Sequence, residues 1–118
     1  MPFIKKPAPL QWTLHARAKM NHYRLTPARV RHVLHSPRRI EEGVAPKTVA
    51  MMQPVSMKLI GKQASWTQEI WVMVQDAAGV RKVISAWRYP GVTKPRDAAF
   101  LQREYGEFLS DEAEAVAA

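Results

Sequence analysis

Apolar residues recur with helical spacing in the first third of the chain. The segment Thr13–Arg24 has no internal glycine or proline, and Thr13 is a suitable N-cap, so it predicts a helix. Its apolar residues fall on two sides, which indicates packing against two neighbouring elements. A second helix is predicted from Thr26-Pro27, a capping hydroxyl followed by proline at the first helical position, to about His35. Its predicted buried face consists of Val30, Val33 and Leu34.

After residue 46 the spacing becomes that of strands. Strands are predicted over residues 47–52, 55–60, 69–75 and 80–89, with a polar loop over 61–67 and a hairpin turn over 76–79. The third strand is apolar on both faces, as expected of a central strand. Alternation along the fourth strand predicts two opposite faces. One face carries Lys82, Ile84, Ala86 and Arg88, and the other carries Val83, Ser85, Trp87 and Tyr89.

The order of these elements predicts an α+β fold. Two N-terminal helices would pack on a four-stranded, mainly antiparallel sheet, and a C-terminal helix would follow from Pro95. The apolar side of that last helix consists of Phe100, Leu101, Tyr105, Phe108 and Leu109. We expect an extended arm over residues 1–11, a single domain over 12–110 and an acidic flexible tail over 111–118.

Composition narrows the class of protein. The chain has 118 residues, which is enough for one domain. Of these residues 47% are apolar, and none is cysteine. Disulfides, thiolate catalysis and cysteine-ligated zinc are therefore excluded. The longest apolar run, residues 70–74, is too short to span a bilayer, and the first ten residues do not have the pattern of a signal peptide. We expect a cytoplasmic protein that does not contact a membrane.

Charge is distributed unevenly. Residues 1–40 contain nine Lys and Arg, all four histidines and no acid, whereas all ten Asp and Glu lie in residues 41–118. The formal net charge of +8 therefore comes from the first third of the chain. Such asymmetry favours an anionic partner, most often a nucleic acid. The alternative is a basic surface that only maintains solubility.

The four histidines do not predict a metal site. His32 and His35 are three residues apart and His15 and His22 are seven apart, but residues 1–40 contain no acid to complete a ligand set. Nucleophile-elbow and glycine-rich phosphate motifs are lacking too. We therefore expect neither a metal nor a cofactor, and the histidines are interpreted as surface groups, phosphate contacts or proton-transfer groups.

Cleavage of RNA without a metal is compatible with this inventory. It requires a group that takes the 2′-hydroxyl proton, a group that protonates the leaving oxygen, and cations that stabilise the phosphorane. Histidine, lysine, arginine and tyrosine can fill these roles. The four tryptophans divide into Trp71 and Trp87, expected in the core, and Trp12 and Trp66, which are better candidates for contact with a partner.

Two short motifs resemble a known family. The stretch His15-Ala-Arg-Ala-Lys-Met20, followed by residues 23–30 and 33–34, is similar to the opening of small RelE-like toxin domains, above all the BrnT type and related bacterial domains of unknown function. The strand 81–88 is similar to the late strand of BrnT, except that Trp87 stands between Ala86 and Arg88. The resemblance covers about residues 12–89. It implies two helices before a four-stranded antiparallel sheet, and a metal-independent endoribonuclease of a toxin–antitoxin system.

Site residues follow from the resemblance and from the charge pattern together. The predicted catalytic residues are Arg88, His15 and Tyr89. The predicted nucleic-acid-binding residues are Lys19, His22, Arg29, Arg31, His32, Arg38 and Lys82. The expected partners are RNA, including the ribosome or tRNA, and a cognate antitoxin. Two alternatives stay open: a non-catalytic RNA- or ribosome-binding module that uses the same face, and a protein-interaction domain with an acidic partner.

Overall fold

A computed structural model describes residues 8–106 of the chain, and its fold is α+β. The helices are α1 (Leu14–Tyr23), α2 (Pro27–His35) and α3 (Ala98–Gly106), the last preceded by a 3₁₀ turn (Pro95–Asp97). The strands are β1 (Leu10–Trp12), β2 (Arg39–Glu42), β3 (Thr48–Pro54), β4 (Lys58–Ile60), β5 (Gln63–Ser65), β6 (Glu69–Ala77) and β7 (Val80–Tyr89).

Five strands form the main sheet in the order β1-β7-β6-β3-β2. The pairs β2–β3, β3–β6 and β6–β7 are antiparallel, whereas β1 lies parallel to β7. The strands β4 and β5 form a separate antiparallel ribbon. The predicted α+β class and mainly antiparallel sheet are confirmed, with five strands in place of four.

The two N-terminal helices begin where their capping residues predicted. Thr13 Oγ1 accepts a hydrogen bond from Ala16 N at 3.0 Å, and Thr26 Oγ1 accepts one from Arg29 N at 3.1 Å. Pro27 occupies the first turn of α2, where its missing N–H has no helical partner to lose. Helix α2 ends at His35, as Ser36-Pro37 predicted.

Three strand predictions are wrong in detail. Residues 10–12 form β1, although they lie mostly in the predicted arm, because Arg81 N bonds to Pro9 O and extends the pairing with β7. The charged stretch Arg39–Glu42 forms the edge strand β2, whose half-exposed pattern suits an edge. The predicted strand 55–60 and the predicted loop 61–67 contribute only the short strands of the β4–β5 ribbon.

A bulge in β7 changes which side chains share a face. Met73 pairs with Ser85 and Val74 pairs with Val83, so Ile84 is an extra residue in the ladder. Val83 and Ala86 therefore lie in the core under α1 and α2, and Ile84 and Trp87 lie in the core on the opposite side. The predicted strict alternation is wrong for this reason.

The sheet has one core on each side. The helix face packs α1 and α2 against a core that includes Val30, Val33, Val72, Val74 and Val83. The opposite face, named here the α3 face, holds a core of Ala50, Met52, Trp71, Met73, Ile84 and Trp87, with Tyr105 of α3 packed against it. Val30, Val33, Trp71 and Trp87 are buried as predicted, whereas Leu34 is only half-buried.

Parts of the predicted domain plan lie outside the described residues. These are residues 1–7 of the arm, Phe108 and Leu109 of the last helix, and the tail 111–118. Within residues 8–106, no helix is long and apolar enough to cross a membrane.

Candidate functional site

His15 connects the first and the last helix. It lies in the first turn of α1, and its Nε2 is 2.7 Å from Gly106 O at the end of α3. Ser85 Oγ donates to the same carbonyl at 2.9 Å. A nitrogen that donates to a backbone carbonyl is not a proton acceptor. In this geometry the Nε2 atom of His15 ties α1 to α3.

Arg88 lies at the other end of α1. Its Nη2 donates to Tyr23 O at 3.2 Å, one of the carbonyls that the end of a helix leaves without a helical partner. His15 and Tyr23 are eight residues apart in α1, a rise of about 12 Å along the helix axis. His15 and Arg88 are therefore held at opposite ends of α1.

Tyr89 lies on the other side of the sheet. It packs against the core of the α3 face, and its ring meets that of Tyr105 edge-on, with 5.3 Å between the ring centroids. Arg88 pairs with Ile70 in the core of the helix face. The fold therefore does not bring the three predicted catalytic residues around one phosphate.

Four of the predicted nucleic-acid-binding residues have exposed side chains. These are His22, Arg31, His32 and Arg38. The ring of His22 meets that of Tyr23 edge-on at 4.7 Å, and Nδ1 of His32 is 2.9 Å from Gln53 Oε1. Neither contact encloses the histidine.

Of the other three predicted binding residues, two are buried or half-buried and one lies on the face of the sheet opposite to α1 and α2. Lys19 is buried, with 6% of its surface exposed, and its Nζ lies 5.0 Å from the centroid of the Tyr23 ring. Arg29 is half-buried, and its Nη2 donates to Pro54 O at 3.2 Å. Lys82 pairs with Gln75 in the sheet. The neighbouring pair, Val74 and Val83, has its side chains on the helix face, so the side chain of Lys82 lies on the α3 face. Because of the bulge, this is the face opposite to that of Arg88.

Two arginines share one indole on the helix side of the molecule. The guanidinium carbon of Arg17, from α1, lies 4.9 Å from the centroid of the Trp12 ring, and that of Arg31, from α2, lies 5.3 Å from it. We call these three residues the Trp12 cluster. Both arginines are exposed, and within residues 8–106 neither guanidinium forms a hydrogen bond or an ion pair. Their N–H groups can therefore meet an anion.

A second arginine–tryptophan pair lies where α2 leads into the sheet. The guanidinium carbon of exposed Arg38 is 5.1 Å from the centroid of the Trp66 ring. The next residue, Arg39, is engaged within the fold: it forms an ion pair with Glu41 at 2.7 Å and bonds to Thr93 O. Arg38 thus adds one more available cation.

The sequence predicts Trp12, Trp66, Arg31 and Arg38 as candidates for contact with a partner. The structure brings Arg31 to Trp12 and Arg38 to Trp66. The sequence alone does not indicate Arg17, because the turn from β1 into α1 is what brings it to Trp12. The available signal was its place in a segment without acids.

A cleft adjoins the Trp12 cluster. It has a volume of about 850 Å³ and lies between α2, the start of β1 and the β6–β7 hairpin. Its lining consists of Ala8, Leu10, Ala28, Arg31, His32, Leu34, His35, Asp76, Ala77, Gly79, Val80 and Arg81. Arg31 belongs to both the cleft and the Trp12 cluster, so the two features are continuous.

Asp76 is the one acid among the described residues that line the cleft. Its carboxylate accepts hydrogen bonds from Arg81 Nε at 2.7 Å and from Arg81 Nη2 at 2.9 Å. These hydrogen bonds are the main reason that the pKa of Asp76 is lowered; the positive charge of Arg81 lowers it further, and burial opposes the change. The same hydrogen bonds raise the pKa of Arg81. The pair is therefore charged, and the carboxylate keeps lone pairs for a further donor.

No set of metal ligands is formed in the part of the chain that the structure describes, residues 8–106, where no three His, Asp or Glu side chains are grouped to hold an ion. The carboxylate of Glu69, the most enclosed acid, accepts hydrogen bonds from Trp66, Trp71 and Thr93 instead. The surface can bind anions, and the geometry supplies no acid–base pair at the Trp12 cluster.

Comparison with known proteins finds no relative: no protein-family model, no curated protein and no solved structure matches this chain.

Proposed function

We propose that the chain is an RNA-binding domain of the RelE/BrnT-like type, and that it holds the phosphate backbone on the outer side of α1 and α2. The Trp12 cluster carries the proposal. Two exposed guanidiniums stand over one indole with no carboxylate partner among residues 8–106, which is an arrangement that binds phosphate oxygens and allows stacking with bases.

The surroundings of the cluster support the same function. Residues 1–40 contain no acid, so nothing in that segment competes with an anionic ligand for its cations. The exposed cations of α1, of α2 and of the turn between them include Arg17, Arg24 and Arg31. The order of elements also agrees with the resemblance, since two helices precede four antiparallel strands, β2, β3, β6 and β7.

Of the functions considered, we propose binding without cleavage. The endoribonuclease hypothesis requires His15, Arg88 and Tyr89 to act on one phosphate, yet each makes its contacts in a different part of the fold. An acidic protein such as an antitoxin would meet the same exposed arginines and is the alternative partner of this surface.

Salt dependence of RNA affinity tests the proposal. Binding of a fluorescent single-stranded 20-mer would be measured by anisotropy between about 50 and 200 mM KCl, a range over which several phosphate contacts change affinity by orders of magnitude. The double variant Arg17→Gln/Arg31→Gln should bind more weakly. Its log–log slope should be shallower by about 1.4, since each contact with a single strand contributes about 0.7.

The matched control removes two cations from elsewhere on the molecule. Arg96 lies in the 3₁₀ turn and Arg103 lies in α3, and both are exposed. Neither residue belongs to α1 or α2. The variant Arg96→Gln/Arg103→Gln should keep the wild-type slope. Equal slopes for the two double variants, or a wild-type affinity that does not change with salt, would contradict the proposal.

A further inference from the structure

We propose that the cleft beside α2 binds one unstacked nucleotide of a single strand, with the base inside the cleft and its phosphate on Arg31 of the Trp12 cluster. This inference rests on the proposed function and adds to it the kind of RNA recognised. Double-stranded RNA keeps its bases stacked and paired, so only a single strand, a loop or an end can supply the occupant.

The walls of the cleft suit a planar base. Leu10, Leu34 and Val80 give apolar surface from three different elements, β1, α2 and β7. The imidazoles of His32 and His35 add two flat rings, a type of surface on which unstacked bases lie in RNA complexes. The volume of about 850 Å³ falls within the range of small-ligand sites, about 300–1,000 Å³.

Arg31 positions the phosphate. It is the residue that the cleft lining and the Trp12 cluster have in common, and its guanidinium is held beside the indole at 5.3 Å. A strand whose backbone follows the exposed arginines of α1 and α2 therefore passes the mouth of the cleft. Arg17, over the same ring, is available to a neighbouring phosphate.

Asp76 gives the site a preference among bases. Its carboxylate is more than half exposed and is oriented by the two hydrogen bonds from Arg81. A carboxylate accepts from an exocyclic amino group, which cytosine and adenine carry and uracil lacks. We therefore expect cytosine and adenine to be preferred to uracil. An acidic peptide would satisfy Arg31 but would repel Asp76, so a nucleotide fits the whole lining better.

Titration of the full chain with mononucleotides tests the site. In ¹H–¹⁵N spectra, 5′-CMP should shift the amides of the β6–β7 hairpin, residues 76–81, together with those of α2. The same concentration of 5′-UMP should give smaller shifts, and inorganic phosphate should shift only the Trp12 indole and its surroundings. Asp76→Asn should reduce the difference between CMP and UMP. Hairpin shifts with phosphate alone, or with oligoglutamate, that equal those with CMP would overturn the proposal.

A filled cleft separates this inference from the proposed function. Ala28 is exposed and lines the cleft, so Ala28→Trp should occupy the cleft and lower the affinity for an oligocytidine by about tenfold or more, while the salt slope persists. Ala99, also exposed but on α3 and outside the lining, supplies the control Ala99→Trp, which should bind as the wild type does. Unchanged oligocytidine binding by Ala28→Trp would overturn the nucleotide site alone. A wild-type chain that binds no RNA would overturn the proposed function instead.

Discussion

Single side chains hold this fold together with polar contacts that the apolar pattern does not reveal. Glu69 is fully buried, and its carboxylate accepts from Trp66 Nε1, Trp71 Nε1, Thr93 N and Thr93 Oγ1 at 2.6–3.1 Å. These donors come from the segment before β6, from β6 itself and from the segment that follows β7. One carboxylate thus fixes three parts of the chain.

Removal of this carboxylate should destabilise the domain severely. Glu69→Ala leaves four donors without an acceptor, and the three buried ones cost about 1–3 kcal/mol each, against a total stability of roughly 5–15 kcal/mol. We expect loss of at least about 3 kcal/mol in urea denaturation, and a smaller loss for Glu69→Gln, which keeps one acceptor oxygen. Glu104→Ala, at an exposed position of α3, should stay within about 0.5 kcal/mol of the wild type. Equal stabilities for Glu69→Ala and Glu104→Ala would show that the network contributes nothing.

For Arg88, a catalytic role and a structural role predict opposite effects of substitution on stability and activity. Since its guanidinium donates to Tyr23 O, Arg88→Ala should lower the free energy of unfolding by about 1–2 kcal/mol. Arg88→Lys should restore most of it, because a single N–H is enough for this bond. RNA affinity of both variants, measured well below the melting temperature, should match the wild type. An Arg88→Ala variant of full stability that has lost an RNA-cleaving activity would restore the catalytic hypothesis.

Elements whose signals are local were predicted well, and elements that depend on distant partners were not. Strand β7 has its predicted bounds, and α1 and α2 begin at their capping threonines, because alternation, turn residues and caps act within a few residues. The edge strands β1 and β2 were missed because their pairing is set by β7 and β3. The bulge at Ile84 was missed for the same reason, and it reversed the predicted face of Lys82.

Thr13 illustrates how one cap can serve two elements. Its hydroxyl caps α1 and is also within hydrogen-bond distance of Val83 O (3.0 Å) and Ile84 O (3.2 Å), beside the bulge. Thr26 caps α2 with one exposed bond. Thr13→Ala should therefore cost about 2 kcal/mol or more in chemical denaturation, and Thr26→Ala about 1 kcal/mol. Equal losses would mean that the contacts of Thr13 with β7 add no stability.

Over the whole described structure, residues 8–106, cations are paired with an acid in some places and unpaired in others, and this difference affects stability as well as binding. The Trp12 cluster holds two cations close together without an acid, and the favourable cation–π contacts coexist with repulsion between the guanidiniums. The β6–β7 hairpin has the opposite arrangement, since Arg81 is paired with Asp76. Salt screens both interactions, as the Debye length falls from about 30 Å at 0.01 M to about 8 Å at 0.15 M.

The melting temperatures of two variants should therefore respond to salt with opposite signs. At low salt Arg17→Gln/Arg31→Gln loses cation–π contacts but is relieved of repulsion, so its melting temperature should lie close to that of the wild type. At about 0.2 M KCl the repulsion is screened and the wild type should become the more stable of the two, by at most about 1–2 kcal/mol. Arg81→Gln loses an attraction instead, so its deficit should be largest at low salt and shrink as salt is added. Calorimetric melting of the three chains across this range measures both trends. The contrary result would be a melting temperature of the double variant that lies below that of the wild type at low salt and approaches it as salt is added, as for Arg81→Gln. In that case an anionic group of the chain stabilises the two arginines, and the Trp12 cluster is not available to a phosphate.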